Sequence, residues 1–63
     1  MKYIIRYAVG KFGDAWWCGR DQYGHRWVDG ETGRREATRL TLTQAEELCA
    51  VNGWSTGRIV LAA

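Results

Sequence analysis

Apolar and polar residues alternate with a period of two along the first residues of the chain. From Lys2 to Val9, one face carries large apolar side chains and the other is mixed. The first set is Tyr3, Ile5, Tyr7 and Val9, and the second is Ile4, Arg6 and Ala8. Such alternation among residues that favour β structure predicts a half-buried strand.

Turn residues then separate two further strands of the same kind. Gly10, Gly13 and Asp14 supply the first turn, and the segment 21–24 supplies the second. Between them, residues 15–20 form a predicted second strand centred on Trp16 and Trp17. Residues 25–29 alternate again and predict a third strand, paired with the second through a tight hairpin.

The next segment predicts a fourth strand. Asp29-Gly30 and Gly33 are typical turn residues, and residues 35–40 then place Ala37 and Arg39 opposite Thr38 and Leu40. This interpretation continues the antiparallel meander by one strand.

A helix follows, with two possible starting residues. Thr41 has Gln44 three positions later and Thr43 has Glu46, so either pair makes a capping box. Gly53 is a typical residue at the C-terminal end of a helix and predicts that the helix ends there. The predicted buried stripe is Ala45, Leu48, Cys49 and Asn52, with Leu42 one turn earlier.

The segment Arg58–Leu61 is a short apolar run that predicts a final strand. The predicted order is therefore ββββαβ, an α+β fold in which a small antiparallel sheet of four or five strands carries one helix on one face. A chain of 63 residues buries only about 60% of its unfolded surface. We therefore expect residues 1–63 to form a single domain, with the second face of the sheet exposed.

Charge and targeting signals narrow the function classes only slightly. Residues 1–39 hold eight Lys or Arg against five acids, whereas residues 40–63 hold one against two. The acids are interspersed among the cations, so nucleic-acid binding is permitted without being required. No apolar run has the length of a signal peptide or a membrane span, which predicts a soluble cytoplasmic protein that does not bind membranes.

Aromatic residues carry the strongest indication of a binding surface. Eight aromatics, four of them Trp, exceed what one thin core is expected to bury. Because Trp16 and Trp17 are adjacent in a strand, they point to opposite faces, and we expect one of them to be exposed. Exposed Trp, Tyr and Arg are enriched in binding hot spots. The predicted partner-binding residues are Trp17, Arg20, Tyr23, Arg26 and Trp27.

Two other interpretations of the same residues stay open. Cross-strand aromatic pairs can simply stiffen a small sheet. Alternatively, the rings and arginines form a stacking platform for single-stranded nucleic acid.

Residues suited to chemistry are few. Cys18, His25 and Cys49 are the only soft metal ligands, one fewer than a structural zinc site usually has, and no paired spacing is present. Cys18 and His25 are the only candidates for a nucleophile and base, in a domain with little room for a substrate pocket. We expect reduced cysteines, no metal, no cofactor and no catalytic residues.

The order of these segments resembles small accessory proteins encoded by phages and prophages. The resemblance rests on an N-terminal Tyr-Ile-Ile-Arg-Tyr strand, a Trp-rich hairpin, Ala37-Thr38-Arg39-Leu40-Thr41 leading into Gln44-Ala45-Glu46-Glu47, and a final Arg58-Ile59-Val60-Leu61 strand. Many such proteins, anti-CRISPR proteins among them, occupy a functional surface of a host enzyme or defence complex. The resemblance implies inhibition by binding, without chemistry, and no functional residues carry over from it.

The sequence therefore predicts a non-enzymatic protein-binding module, anti-CRISPR-like, whose partner is a host or defence protein complex. The alternative is a small single-stranded nucleic-acid-binding protein that uses a basic aromatic sheet face. A structural subunit that forms a homodimer is a third possibility, and monomer and dimer are both open.

Overall fold

The computed structural model describes residues 1–8 and 13–62 and confirms a small α+β domain built on a four-stranded antiparallel sheet. The strands are β1 (Tyr3–Ala8), β2 (Asp14–Asp21), β3 (Gly24–Asp29) and β4 (Ile59–Leu61), and the helices are α1 (Gly30–Glu36) and α2 (Leu42–Asn52), with a 3₁₀ turn at Thr56–Arg58. The strand order across the sheet is β3-β2-β1-β4. Val9 and Gly10, predicted to end the first strand and begin its turn, lie outside the described residues.

The predicted fourth strand is wrong over most of its length. Residues 30–36 form the helix α1, with Asp29 at its N-cap and Ala37 at its C-cap. Glu31 in the first turn and Arg34 and Arg35 in the last turn complement the helix dipole, which favours a helix over the predicted turn. The element order is therefore βββααβ.

One residue of the predicted strand does pair with the sheet. Leu40 forms an isolated antiparallel bridge with Tyr3, through N–H···O bonds of 2.7 and 2.8 Å in the two directions. The Thr38 amide also donates to the Trp17 carbonyl at 3.0 Å. Residues 38–40 therefore link β1 and β2 by main-chain hydrogen bonds.

The helix α2 begins as the capping pattern predicts, and Thr41 is the residue that caps it. The Thr41 side chain accepts from the Gln44 amide at 3.1 Å, and the Gln44 side chain accepts from the Thr41 amide at 3.0 Å. Gly53 is the C-cap. Ala45 and Cys49 are buried, as predicted, while Leu42 is 44% exposed.

Candidate functional site: a groove beside α2

The sheet is covered on both faces, so the predicted open face is wrong. Ile4 and Trp16 pack with Ala37 after α1 on one face, whereas Ile5 and Trp17 pack with Cys49 of α2 on the other. Trp16 is 6% exposed and Trp17 is 7% exposed. The expectation that one of the two is exposed is also wrong, because α1 supplies a cover that the sequence pattern did not reveal.

The five predicted partner-binding residues lie in three different parts of the molecule. Trp17 is buried and Trp27 is half-buried on the α2 side of the sheet. Tyr23 is 88% exposed at the tip of the β2–β3 hairpin, where its amide donates to the Asp21 carboxylate at 2.8 Å. Arg26 lies on the α1 side of the sheet, 3.9 Å from Glu36. The structure therefore does not bring the five together into one patch.

A β-bulge in β2 brings Arg20 to the same face as Trp17. The register pairs Trp17 with Trp27 but Arg20 with His25, so β2 has one extra residue in this interval. Gly19 lies within the bulge at φ 94°, a conformation that glycine adopts without strain. Without the bulge, strict alternation would place Arg20 on the opposite face from Trp17.

Trp17 and Arg20 line an open groove beside α2, which we call the α2 groove. Its volume is about 360 Å³, near the lower end of ligand-sized pockets. The lining residues are Trp17 and Arg20 from β2, Leu40 from the connecting segment, and Gln44, Glu47, Leu48, Val51 and Asn52 from α2. The least exposed part of the lining, which we call the floor, is therefore mostly apolar, and the exposed part is mostly polar.

The exposed part of the groove joins an aliphatic side chain to two opposite charges. Val51 is 83% exposed. Arg20 and Glu47 are exposed too, and within the described part of the chain neither has an ion-pair partner. These groups are free to contact a bound molecule.

A hydrogen-bonded chain holds the floor of the groove in place. The Trp17 indole N–H donates to His25 Nδ1 at 3.0 Å, and His25 Nε2 lies 2.9 Å from Asn52 Oδ1. Asn52 Nδ2 in turn donates to the Leu48 carbonyl at 2.9 Å. Because an indole nitrogen can only donate, Nδ1 accepts and the ring proton lies on Nε2. The chain therefore ties β2 and β3 to the last turns of α2.

The remaining aromatic rings on this face pack against one another. Trp54 makes edge contacts with His25 and Trp27, with centroids 4.9 and 5.2 Å apart. The Arg58 guanidinium lies over Tyr7 at 4.5 Å and over Trp54 at 5.5 Å. Such contacts stabilise a small core, so most of these rings are engaged within the domain.

Cys18 and His25, the candidates for a nucleophile and a base, lie on opposite sides of the sheet. Cys18 approaches the Gly33 carbonyl on the α1 side, at 3.7 Å, whereas His25 lies on the α2 side with both ring nitrogens hydrogen-bonded. Burial raises the pKa of the Cys18 thiol, an effect that Arg26 partly opposes, and burial also raises the pKa of Cys49. No cluster of three or more potential metal ligands occurs among the described residues.

The groove was only partly predictable from the sequence. Trp17 and Arg20 were identified as binding residues, but Leu40, Glu47 and Val51 were missed. The available signal was Val51 itself, because an apolar residue outside the predicted stripe of α2 indicates a second apolar edge of the helix.

Comparisons of the chain with known protein families, curated proteins and solved structures found no match. Within residues 1–8 and 13–62, no helix has the length and apolar character needed to cross a membrane.

Proposed function

We propose that this chain is a non-enzymatic protein-binding module and that the α2 groove is its binding surface. The observation that carries the proposal is the exposed Val51 beside Arg20 and Glu47, two opposite charges that lack partners in the described chain. Protein interfaces commonly combine an apolar anchor with a polar rim of this kind.

The partner segment is expected to carry an aliphatic or aromatic side chain that contacts Leu48 and Val51. A carboxylate near it would pair with Arg20, and a basic group would pair with Glu47. Because the groove floor is held by the Trp17–His25–Asn52 chain, little ordering is required on binding, which favours affinity. The other predicted residues, Tyr23, Arg26 and Trp27, lie outside the groove lining, and Tyr23 is the exposed candidate for an additional contact.

At a finer level, we propose that the module is a phage-derived, anti-CRISPR-like inhibitor that occupies a functional surface of a host or defence protein in the bacterial cytoplasm. The support for this part is the resemblance of the segment order to phage accessory proteins. The separation of Cys18 from His25 supports action by binding, because the two groups do not form a nucleophile–base pair.

Single-stranded nucleic acid remains the competing function. That mechanism uses exposed rings on which successive bases stack, but Trp16 and Trp17 are buried and the rings near Trp54 contact one another. We therefore favour the protein partner and use nucleic acid as an outcome of the test.

The test is capture of the partner from bacterial lysate by the tagged protein, with and without nuclease, followed by affinity measurement. We expect a stoichiometric protein that survives nuclease. Val51→Asp places a charge in the groove and should weaken binding by about 2 kcal/mol or more, a typical hot-spot cost. Arg20→Gln should also weaken binding.

Ala50→Asp is the matched control, because Ala50 is an exposed neighbour on α2 that does not line the groove. Circular dichroism checks that all variants stay folded. Equal binding by Val51→Asp and Ala50→Asp would refute the proposal that the α2 groove is the binding surface. Material lost on nuclease treatment, with affinity falling steeply as salt rises, would favour nucleic acid. Concentration-dependent sedimentation without a captured protein would instead support a homodimer.

A further inference from the structure

A second concave surface lies on the opposite side of the sheet and is dominated by arginine. We call it the arginine pocket. Its volume is about 220 Å³, and its lining residues are Ile4, Glu31, Arg34, Arg35, Arg39 and Ala62. Ile4 is buried and Ala62 is half-buried, so three cations and one acid surround an apolar floor.

The acid does not neutralise the neighbouring cations. Glu31 precedes Arg34 and Arg35 by three and four residues on α1, the spacing at which helical ion pairs form. Nevertheless, among the described residues Glu31 forms no ion pair with either arginine. The two arginines and the one glutamate that α1 contributes to the pocket lining therefore carry a formal charge of +1.

Arg34 is held in position by an aromatic ring. Its guanidinium carbon lies 5.5 Å from the ring centroid of Trp16, which is itself buried in the core of this face. Stacking of this kind leaves the edge of the guanidinium, with its N–H groups, available to a ligand. Arg35 is exposed beside it and makes no ion pair within the described residues.

We propose that the arginine pocket binds a phosphate group, with Arg34 and Arg35 as its hydrogen-bond donors. A phosphate monoester carries between one and two negative charges and three acceptor oxygens, so it can accept N–H groups from both arginines at the same time. Arginine binds such oxyanions through paired N–H donors. Ile4 and Ala62 offer an apolar surface to the group that the phosphate esterifies.

This inference is independent of the α2 groove, because the two sites lie on opposite faces of the sheet. The phosphate can come from a free nucleotide or from a phosphodiester chain, and the experiment separates these sources. The proposal requires only Arg34 and Arg35.

The test is an NMR titration of the ¹⁵N-labelled protein with inorganic phosphate, adenosine 5′-monophosphate, adenosine and a short oligothymidylate. We expect the phosphate-bearing compounds, but not adenosine, to shift the amide and arginine side-chain signals of residues 31–39. Arg35→Gln should weaken binding about tenfold, the loss expected for a hydrogen bond to a charged group. Arg20→Gln removes the same charge on the other face and should leave the affinity unchanged.

The mononucleotide binding more tightly than the oligonucleotide would identify a free nucleotide as the source. Tighter oligonucleotide binding with a steep salt dependence would identify a phosphodiester chain. Shifts spread evenly over the protein, equal losses in Arg35→Gln and Arg20→Gln, or equal binding of adenosine and its monophosphate would overturn the proposal. None of these outcomes depends on whether Val51→Asp weakens capture of a protein partner.

Discussion

Gly33 determines how closely α1 lies on the sheet. An ideal Cβ built at this position would fall far inside van der Waals contact with the Val28 carbonyl and 3.1 Å from Trp16 Cδ1. The helix α1 therefore packs against the end of β3 at a separation that only glycine allows. The same close contact allows α1 to cover Trp16.

Replacing Gly33 with alanine is expected to destabilise the protein, although alanine is the better helix former by about 1 kcal/mol. The added methyl group meets main-chain atoms, which can move away only if the whole helix shifts. Overpacking of this kind costs about 1–3 kcal/mol, so we expect Gly33→Ala to lower the free energy of unfolding, measured by urea denaturation. Thr32→Ala, at an exposed position on α1, is the control. A Gly33→Ala variant as stable as the control would contradict the close packing.

The role of Gly33 illustrates what a single residue does not reveal in a sequence. Asp29-Gly30 and Gly33 are typical turn residues, and together they predict a turn at this point of the sequence. The actual constraint is the contact between Gly33 and the Val28 carbonyl five residues earlier, which forms when α1 folds back against the end of β3. The role of Gly19 is not predictable from the sequence either, because the bulge that brings Arg20 beside Trp17 depends on the pairing of β2 with β3.

At the scale of elements, α2 was predictable because its signals are local. Two threonines offered equivalent capping boxes, and the structure selects Thr41. This choice provides a matched pair of variants. Thr41→Ala should lower the free energy of unfolding by about 1 kcal/mol, the typical cost of losing an N-cap.

Thr43→Ala is expected to have little effect, because Thr43 is an exposed residue inside the first turn. Thermal unfolding monitored by circular dichroism compares the two variants directly. Equal destabilisation by the two would contradict the assignment of Thr41 as the only cap, and a larger effect of Thr43→Ala would show that the helix starts at the later residue.

The helix α1 was not predictable in the same way. It has seven residues, its N-cap Asp29 makes no side-chain cap hydrogen bond, and two of its residues are glycine. Isolated helices of this length are unstable, so contacts with β2 and β3 are needed to hold it. The consequence for the site was large. Without α1, one face of the sheet was predicted to be open and was chosen as the binding surface, whereas the exposed groove lies along the edge of α2.

In the whole molecule, one sheet supports two thin hydrophobic cores, one on each of its faces. Adjacent residues in β1 and β2 point into different cores, so Ile4 and Trp16 stabilise one while Ile5 and Trp17 stabilise the other. The chain length predicts one thin core. Instead, α1 buries Trp16 on one face of the sheet and α2 buries Trp17 on the other. This arrangement explains how a small domain accommodates so many aromatic residues.

Each side of the sheet also holds one cysteine, and this gives the stability of the whole molecule a pH dependence. Cys18 lies on the α1 side and Cys49 is fully buried on the α2 side, and burial raises both pKa values. In the unfolded chain a thiol loses its proton near pH 8.5. Above that pH the unfolded state binds fewer protons than the native state, so stability falls.

We therefore expect the free energy of unfolding to be independent of these thiols at pH 7 and to decrease progressively above about pH 8.5. Urea denaturation under reducing conditions at pH 7 and pH 10 measures the change. Tyrosines and lysines titrate in the same range, so the Cys18→Ala/Cys49→Ala double variant is the comparison. Its stability should fall less between the two pH values than that of the wild type. An equal fall would mean that the thiols ionise as readily in the folded protein as in the unfolded chain.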